Sequence, residues 1–224
     1  MKLEALKLRK TFKDADKNLA IIEDLSFSFP EKGSIAIVGR SGVGKSTLLY
    51  LLAGLDVPDS GNIKFDNIDL ASLDSEKLTI FRGMNIGFIF QFHHLLSDFT
   101  ALENVAMPLF ISGVNDNLAI ERARQVLMQV GLKDRMTHSP GELSGGEQQR
   151  VAIARAVVAK PSVILADEPT GNLDVKTAEE VGRILIDVQK QSENLLVVVT
   201  HSKELARSMD YVYEMLPGGQ LISV

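Results

Sequence analysis

The residues Gly39-Arg40-Ser41-Gly42-Val43-Gly44-Lys45-Ser46 fit the spacing G-x-x-x-x-G-K-[ST], and that spacing has a mechanical reading. Glycines let successive backbone N–H groups turn inward onto phosphate oxygens, and the next helix adds the positive end of its dipole. Lys45 then reaches the terminal phosphates of a nucleotide such as ATP, Ser46 ligates Mg²⁺, and Thr47 stands next in line for a phosphate contact. The spacing carries this meaning only between a strand and a helix. Ile35 to Val38 is an apolar run of strand length and Ser46 to Ala53 reads as a helix, so both flanks are present. The plain alternative, a glycine-rich turn, loses ground to that context.

A second run, Val163-Ile164-Leu165-Ala166, ends in Asp167 and Glu168. Charges at the end of a buried strand are costly unless a cation or water answers them. Side chains alternate across a strand, so the two acids are expected to face differently. Asp167 becomes the Mg²⁺ partner, and Glu168 the group that polarises water for attack on a γ-phosphate. The bland reading is a pair of acids opening a loop.

A third stretch, Leu143-Ser144-Gly145-Gly146-Glu147-Gln148-Gln149-Arg150, contains an S-x-x-E capping box at a helix start. Capping accounts for Ser144 and Glu147 but not for Gly145 and Gly146, each of which costs about 1 kcal/mol relative to alanine in a first helical turn. Bare backbone there suits close approach of an anion, with Ser144 donating beside the free N–H groups. The loop at Lys45 already holds a phosphate, so the chain carries two candidate anion sites.

Strands and helices must deliver these residues. Leu25, Phe27 and Phe29 alternate with Ser26 and Ser28, the period-two pattern of a half-buried strand. Ile35–Val38, Val163–Ala166 and Leu195–Val199 read as strands buried on both faces, and the helical stretches after them point to a parallel α/β sheet with ligands at its C-terminal edge. Helical periodicity in 101–110, 118–130 and 147–158 marks an inserted helical subdomain at about 92–160 within a single domain spanning 1–224. Turns are expected at 58–61, before a hairpin, and at 217–219.

Composition narrows the partners. The formal charge of −5 offers no broad basic field, so nucleic acid is not expected. The absence of cysteine removes disulfides and thiolate metal sites. Met1 to Thr11 mixes charged with apolar residues where a secretory signal needs a continuous apolar stretch, and no apolar run approaches the roughly 20 residues of a membrane-spanning helix. A cytoplasmic chain with at most a peripheral membrane role is the expectation.

With these residues in view, the octapeptide at 143–150 is identified as the signature sequence of the ABC transporter ATPases, whose other motifs occur here in order. The resemblance covers essentially the whole chain. It implies a P-loop fold of the ABC ATPase type: a mainly parallel core sheet, an N-terminal antiparallel β part and the helical insert. It also implies a head-to-tail pair of copies, in which Ser144, Gly145 and Gly146 of one cover the γ-phosphate held by the other. Gln91 resembles the Q-loop glutamine that touches Mg²⁺ and links to a membrane subunit. His201 resembles the switch histidine on the γ-phosphate, Asp174 the D-loop aspartate that bridges subunits, and Phe12 the aromatic that stacks on adenine, with a core role as its alternative. Ser202 departs from the aspartate many relatives carry.

The stretch from Phe90 to Leu109 is most similar to the ATP-binding subunits of bacterial lipoprotein-releasing complexes. That branch implies two copies of this subunit on the cytoplasmic face of the inner membrane, beneath two related integral membrane subunits. These would be contacted through the Q-loop and helical subdomain, and the lipoprotein cargo would touch them instead of this chain. Macrolide-exporter-like and cell-division ABC subunits remain alternatives, followed by soluble ABC ATPases acting on DNA or ribosomes. A P-loop kinase would leave the octapeptide without a role.

Overall fold

The computed structural model describes residues 1–14 and 17–224. Two sheets share the work. Strands β1 (Leu3–Asp14), β2 (Lys17–Ser28), β4 (Ser60–Phe65) and β5 (Ile68–Asp69) form an antiparallel sheet in the order β2-β1-β4-β5. The larger sheet has the order β10-β9-β3-β8-β7-β6, from β3 (Gly33–Val38), β6 (Ile86–Ile89), β7 (Val163–Asp167), β8 (Leu195–Val199), β9 (Tyr211–Met215) and β10 (Leu221–Ser223). All its neighbours pair in parallel except β9 and β10.

The apolar runs are indeed buried on both faces. In β7 and β8 every residue is buried, and alternate side chains enter different cores. Ala36, Ile164, Ala166, Leu196 and Val198 join the core beneath the helices, whereas Ile35, Ile37, Val163, Leu165, Val197 and Val199 join the core beneath the antiparallel sheet. This is the period of two acting on a central strand with no solvent face. Helix α1 (Lys45–Leu52) buries Leu48, Leu49, Leu51 and Leu52 in the second core. Between β5 and β6 lies α2 (Ser75–Asn85).

Between β6 and β7 run α3 (Ala101–Ile111), α4 (Asp116–Gln129) and α5 (Gly145–Val157), near the three periodic stretches read from the sequence. Thr100 with Glu103 and Ser144 with Glu147 form capping boxes that start α3 and α5. Helix α6 (Val175–Ser192), capped by Asp174, and the short α7 (Lys203–Arg207) come after β7 and β8 respectively. The expected turn at 217–219 precedes β10, whereas the one expected at 58–61 is only a bend at Asp59, because Ser60 and Gly61 already belong to β4, where Ser60 pairs with Arg9 of β1. Because β3, β6, β7 and β8 are parallel, their C-terminal ends bring the loops at 39–44, 90–100, 168–174 and 200–202 to one edge.

Candidate functional site

The loop after β3 is shaped by its glycines. Gly39 has φ 147° and Gly44 φ 109°. A Cβ at Gly39 would stand 2.7 Å from the Met215 carbonyl oxygen, and one at Gly44 would run into the Ile21 side chain. Lys45 comes next, 6% exposed, with Nζ donating to Gly39 O and Arg40 O at 3.0 Å each and lying 3.4 Å from His201 Nε2. Burial lowers its pKa, and the nearby Glu168 and Asp167 charges oppose that shift. Arg40 is exposed, and Val43 packs against the core beneath the antiparallel sheet, so both serve this loop mainly through backbone.

Ser46 Oγ donates to Asp167 Oδ1 at 2.8 Å, joining the start of α1 to the end of β7. Burial pushes the Asp167 carboxyl above its ordinary value, against the pull of Ser46, the Tyr50 phenol and Lys45. Glu168 does diverge from Asp167, but by a different device from strand alternation. The strand stops at Asp167, and Glu168 takes the left-handed region with φ 46° while its N–H still donates to Val199 O at 2.9 Å. Its Oε2 accepts from His201 N at 3.1 Å. Its Oε1 is buried, lies 3.4 Å from His201 Nε2 and has no hydrogen-bond partner among the described residues.

One cavity of about 570 Å³ is bounded by Phe12, Ile21, Ser41, Gly42, Gly44 to Thr47, Gln91, Glu168, Gly171 and His201, while Gly39, Arg40, Val43 and Asp167 stand behind its wall. Phe12 is 43% exposed, which removes its core reading. Lys10, held by Asp56 Oδ1 at 2.7 Å and Val57 O at 2.8 Å, places its ammonium 5.2 Å from the Phe12 ring centroid. Gln91 is fixed at its carbonyl by Asn172 Nδ2 at 3.2 Å. A second hollow of about 780 Å³ shares Glu168, Gly171 and His201 and extends along α6 and α7.

Ser144, Gly145, Gly146 and Asp174 do not line the cavity that holds Lys45. Asp174 accepts from Thr177 N at 3.1 Å as the α6 cap, and the Thr177 hydroxyl first and its N–H second hold the carboxyl below the usual range. Ser144 is engaged with Glu147, its Oγ donating to Oε2 at 2.8 Å and its N–H to the same oxygen at 2.8 Å. Those two bonds, with Arg135 Nε at 2.9 Å, draw the Glu147 pKa down to about 2. Helix packing places a demand of its own on one of the two signature glycines. A Cβ on Gly146 would overlap Thr177 Cγ2 of α6, so helix packing already requires that glycine, whereas at Gly145 the nearest atom, Leu173 Cδ2, is at an ordinary 3.6 Å.

Ile21, Lys10, Tyr50 and Asn172 carry no signal in the sequence that marks them for this site. Ile21 and Lys10 sit in strands, where nothing in their type distinguishes them from core or surface residues. Tyr50 lies one helical turn beyond Ser46, but nothing local states that Asp167 meets that face. Asn172 sits within the D-loop stretch, and only the fold reveals its hold on Gln91.

The family model described as ABC transporter matches residues 22–171. Among curated relatives, the chain is 49% identical over 216 residues to the lipoprotein-releasing system ATP-binding protein LolD of Geobacter metallireducens, covering 96% of each chain. It is 45% identical over 219 residues to the protein of that name from Idiomarina loihiensis, covering 98% of this chain and 96% of the relative. Among solved structures, a dimeric post-hydrolysis state of the ATP-binding cassette MJ0796 bound to ADP and Pi aligns with TM-score 0.89 and 35% identity, covering 99% of this chain and 98% of that one. A dimeric structure of MJ0796 described as a bacterial ABC transporter cassette aligns with TM-score 0.88 and 36% identity over 96% of this chain and 95% of that one.

Proposed function

Because the chain belongs to the ABC transporter family, as one of its ATP-binding and hydrolysing subunits, we propose that it drives a lipoprotein-releasing complex from the cytoplasmic face of the inner membrane. The supporting observation is the relation to LolD proteins over nearly the full chain. No helix among the described residues is long and apolar enough to cross a membrane. Two related integral membrane subunits, engaged through the segment after Gln91 and the helical insert at 92–160, would contact the lipoprotein.

In this reading ATP lies in the cavity at Lys45, with adenine on the Phe12 face and the phosphates under the N–H groups of residues 39–47. Lys45 leaves the carbonyls of Gly39 and Arg40 to meet the terminal phosphates. Glu168 Oε1, buried and without a hydrogen-bond partner among the described residues, is the acceptor for a proton of the attacking water. His201, whose N–H holds the other carboxylate oxygen, meets the γ-phosphate.

The residues fit Mg²⁺. The Ser46 hydroxyl and the Asp167 carboxylate, 2.8 Å apart where α1 meets β7, with Gln91 on the same cavity as Ser46, would hold it as oxygen donors. When bound it supplies positive charge against the developing charge on phosphate.

Ser144, Gly145 and Gly146 lie outside the Lys45 cavity, and the MJ0796 cassettes are dimers. A head-to-tail second copy therefore completes each site, with Asp174 at the subunit seam. Two copies enclose two ATP, and closure is favoured to the extent that ATP binds the closed pair more tightly. The test is purification of the tagged chain from native membranes: two related membrane proteins with bound lipoprotein support the assignment, and a different membrane partner overturns it.

A further inference from the structure

Between Gln91 and Thr100 the chain forms neither helix nor strand, yet side chains from three other places hold its backbone. Asn172 grips the Gln91 carbonyl. The Arg155 guanidinium of α5 donates to His93 O at 2.8 Å and His94 O at 2.7 Å. Asn104 of α3 does most. Its Oδ1 accepts from Leu96 N at 2.8 Å, and its Nδ2 lies 3.0 Å from each of Leu96 O, Phe99 O and Thr100 O. Two amide hydrogens thus serve three carbonyls, one of them shared.

Asn104 is a costly choice for its place. It is fully buried on a helix whose neighbouring buried positions are Ala101, Val105, Ala106 and Leu109. An amide there is unfavourable for the helix and expensive to desolvate unless every polar atom finds a partner. The partners it finds all belong to the loop or to its junction with α3, and that loop leaves Phe92, Leu96 and Phe99 66%, 42% and 38% exposed.

We propose that Asn104 is a positioning residue for partner binding, holding Leu96 to Thr100, as Arg155 holds His93 and His94, in a preformed apolar platform for the membrane subunits. A platform already ordered loses little freedom when the partner arrives. Because Arg155 belongs to the helix that Ser144 opens, its two bonds tie the platform to the signature helix. The proposal rests on the reading that the segment after Gln91 faces the membrane subunits.

The test uses the full chain and the membrane subunits that co-purify with it, reconstituted in nanodiscs. Asn104→Ala should speed hydrogen exchange at the amides of 96–99 and weaken partner binding about tenfold, while kcat and KM of the isolated chain stay within about twofold. Asn104→Asp, which keeps the acceptor and loses the donors, should behave alike, and Arg155→Met should loosen 93–95 with the same split. Faster exchange with unchanged partner affinity would overturn the proposal. So would affinity and isolated turnover falling in parallel with Tm, the mark of a merely structural residue. If Asn104→Ala does not fold, Arg155→Met decides on the same criteria. A Phe92→Ser, Leu96→Ser double variant that binds partners normally sinks the docking reading itself; impaired binding there with unaltered affinity in Asn104→Ala overturns only the preorganised platform.

Discussion

Glu168 holds a left-handed backbone, φ 46°, a conformation that costs a non-glycine residue about 1–3 kcal/mol and persists only where the surroundings impose it. The Val199 carbonyl and the His201 N–H impose it from one side and the cavity receives the side chain on the other. Glu168→Gln keeps that shape and removes the base. We expect it to bind ATP normally and lose turnover by about 10²-fold or more, read by single-turnover phosphate release; near-normal turnover would take Glu168 out of its assigned role. At this scale the sequence was most legible where residue type and chain position coincide. Lys45, Ser46, Asp167 and Glu168 each stand where a strand gives way to a loop or where a loop gives way to a helix, and those junctions are where the geometry finds them. Lys10 and Tyr50 were invisible for the opposite reason. Their partners, Asp56 and Asp167, lie far along the chain and become neighbours only through folding.

At the scale of elements, the octapeptide carries two separable demands. Gly146 touches Thr177 where α5 meets α6. Gly146→Ala should destabilise the chain by about 1–3 kcal/mol through overpacking, and adding Thr177→Ser, which removes the obstructing methyl, should restore most of the lost Tm. A double variant that regains Tm yet hydrolyses ATP poorly would show that the bare backbone also serves the nucleotide. The capping box makes a pH prediction. Glu147 is drawn from an ordinary 4.5 to about 2 in the folded chain, so its stabilisation is complete above about pH 4.5 and disappears as pH falls through about 2. Relative to Glu147→Gln, the wild type should be more stable at pH 7, with the gap closing on acidification in paired thermal melts. The α5 start was legible because a cap is written locally, within four residues. The Gly146 contact was not, because the obstacle lies on another helix.

For the whole molecule, the run of buried strands and intervening helices was readable, since strands covered on both faces must be apolar throughout and helices must supply the covers. The strand order was not readable from pattern alone, because β3, β7 and β8 are all short, mainly aliphatic and buried, and nothing local states which lies in the middle. The assembly supplies its own test. With ATP, Glu168→Gln should shift to twice the monomer mass in size-exclusion chromatography, and Ser144→Arg introduced into it should abolish that shift. A pure Ser144→Arg chain with full ATPase activity would exclude a site shared between copies.

The strand order also fixes a length. β8 lies between β3 and β7, so the starting points of the phosphate loop and of the acidic pair are two interstrand steps apart, about 9.6 Å at roughly 4.8 Å each. That interval is set by backbone hydrogen bonding, and no side-chain substitution stretches it. The sheet is therefore a ruler, and loops and partners can vary around it while the span offered to the phosphates stays the same.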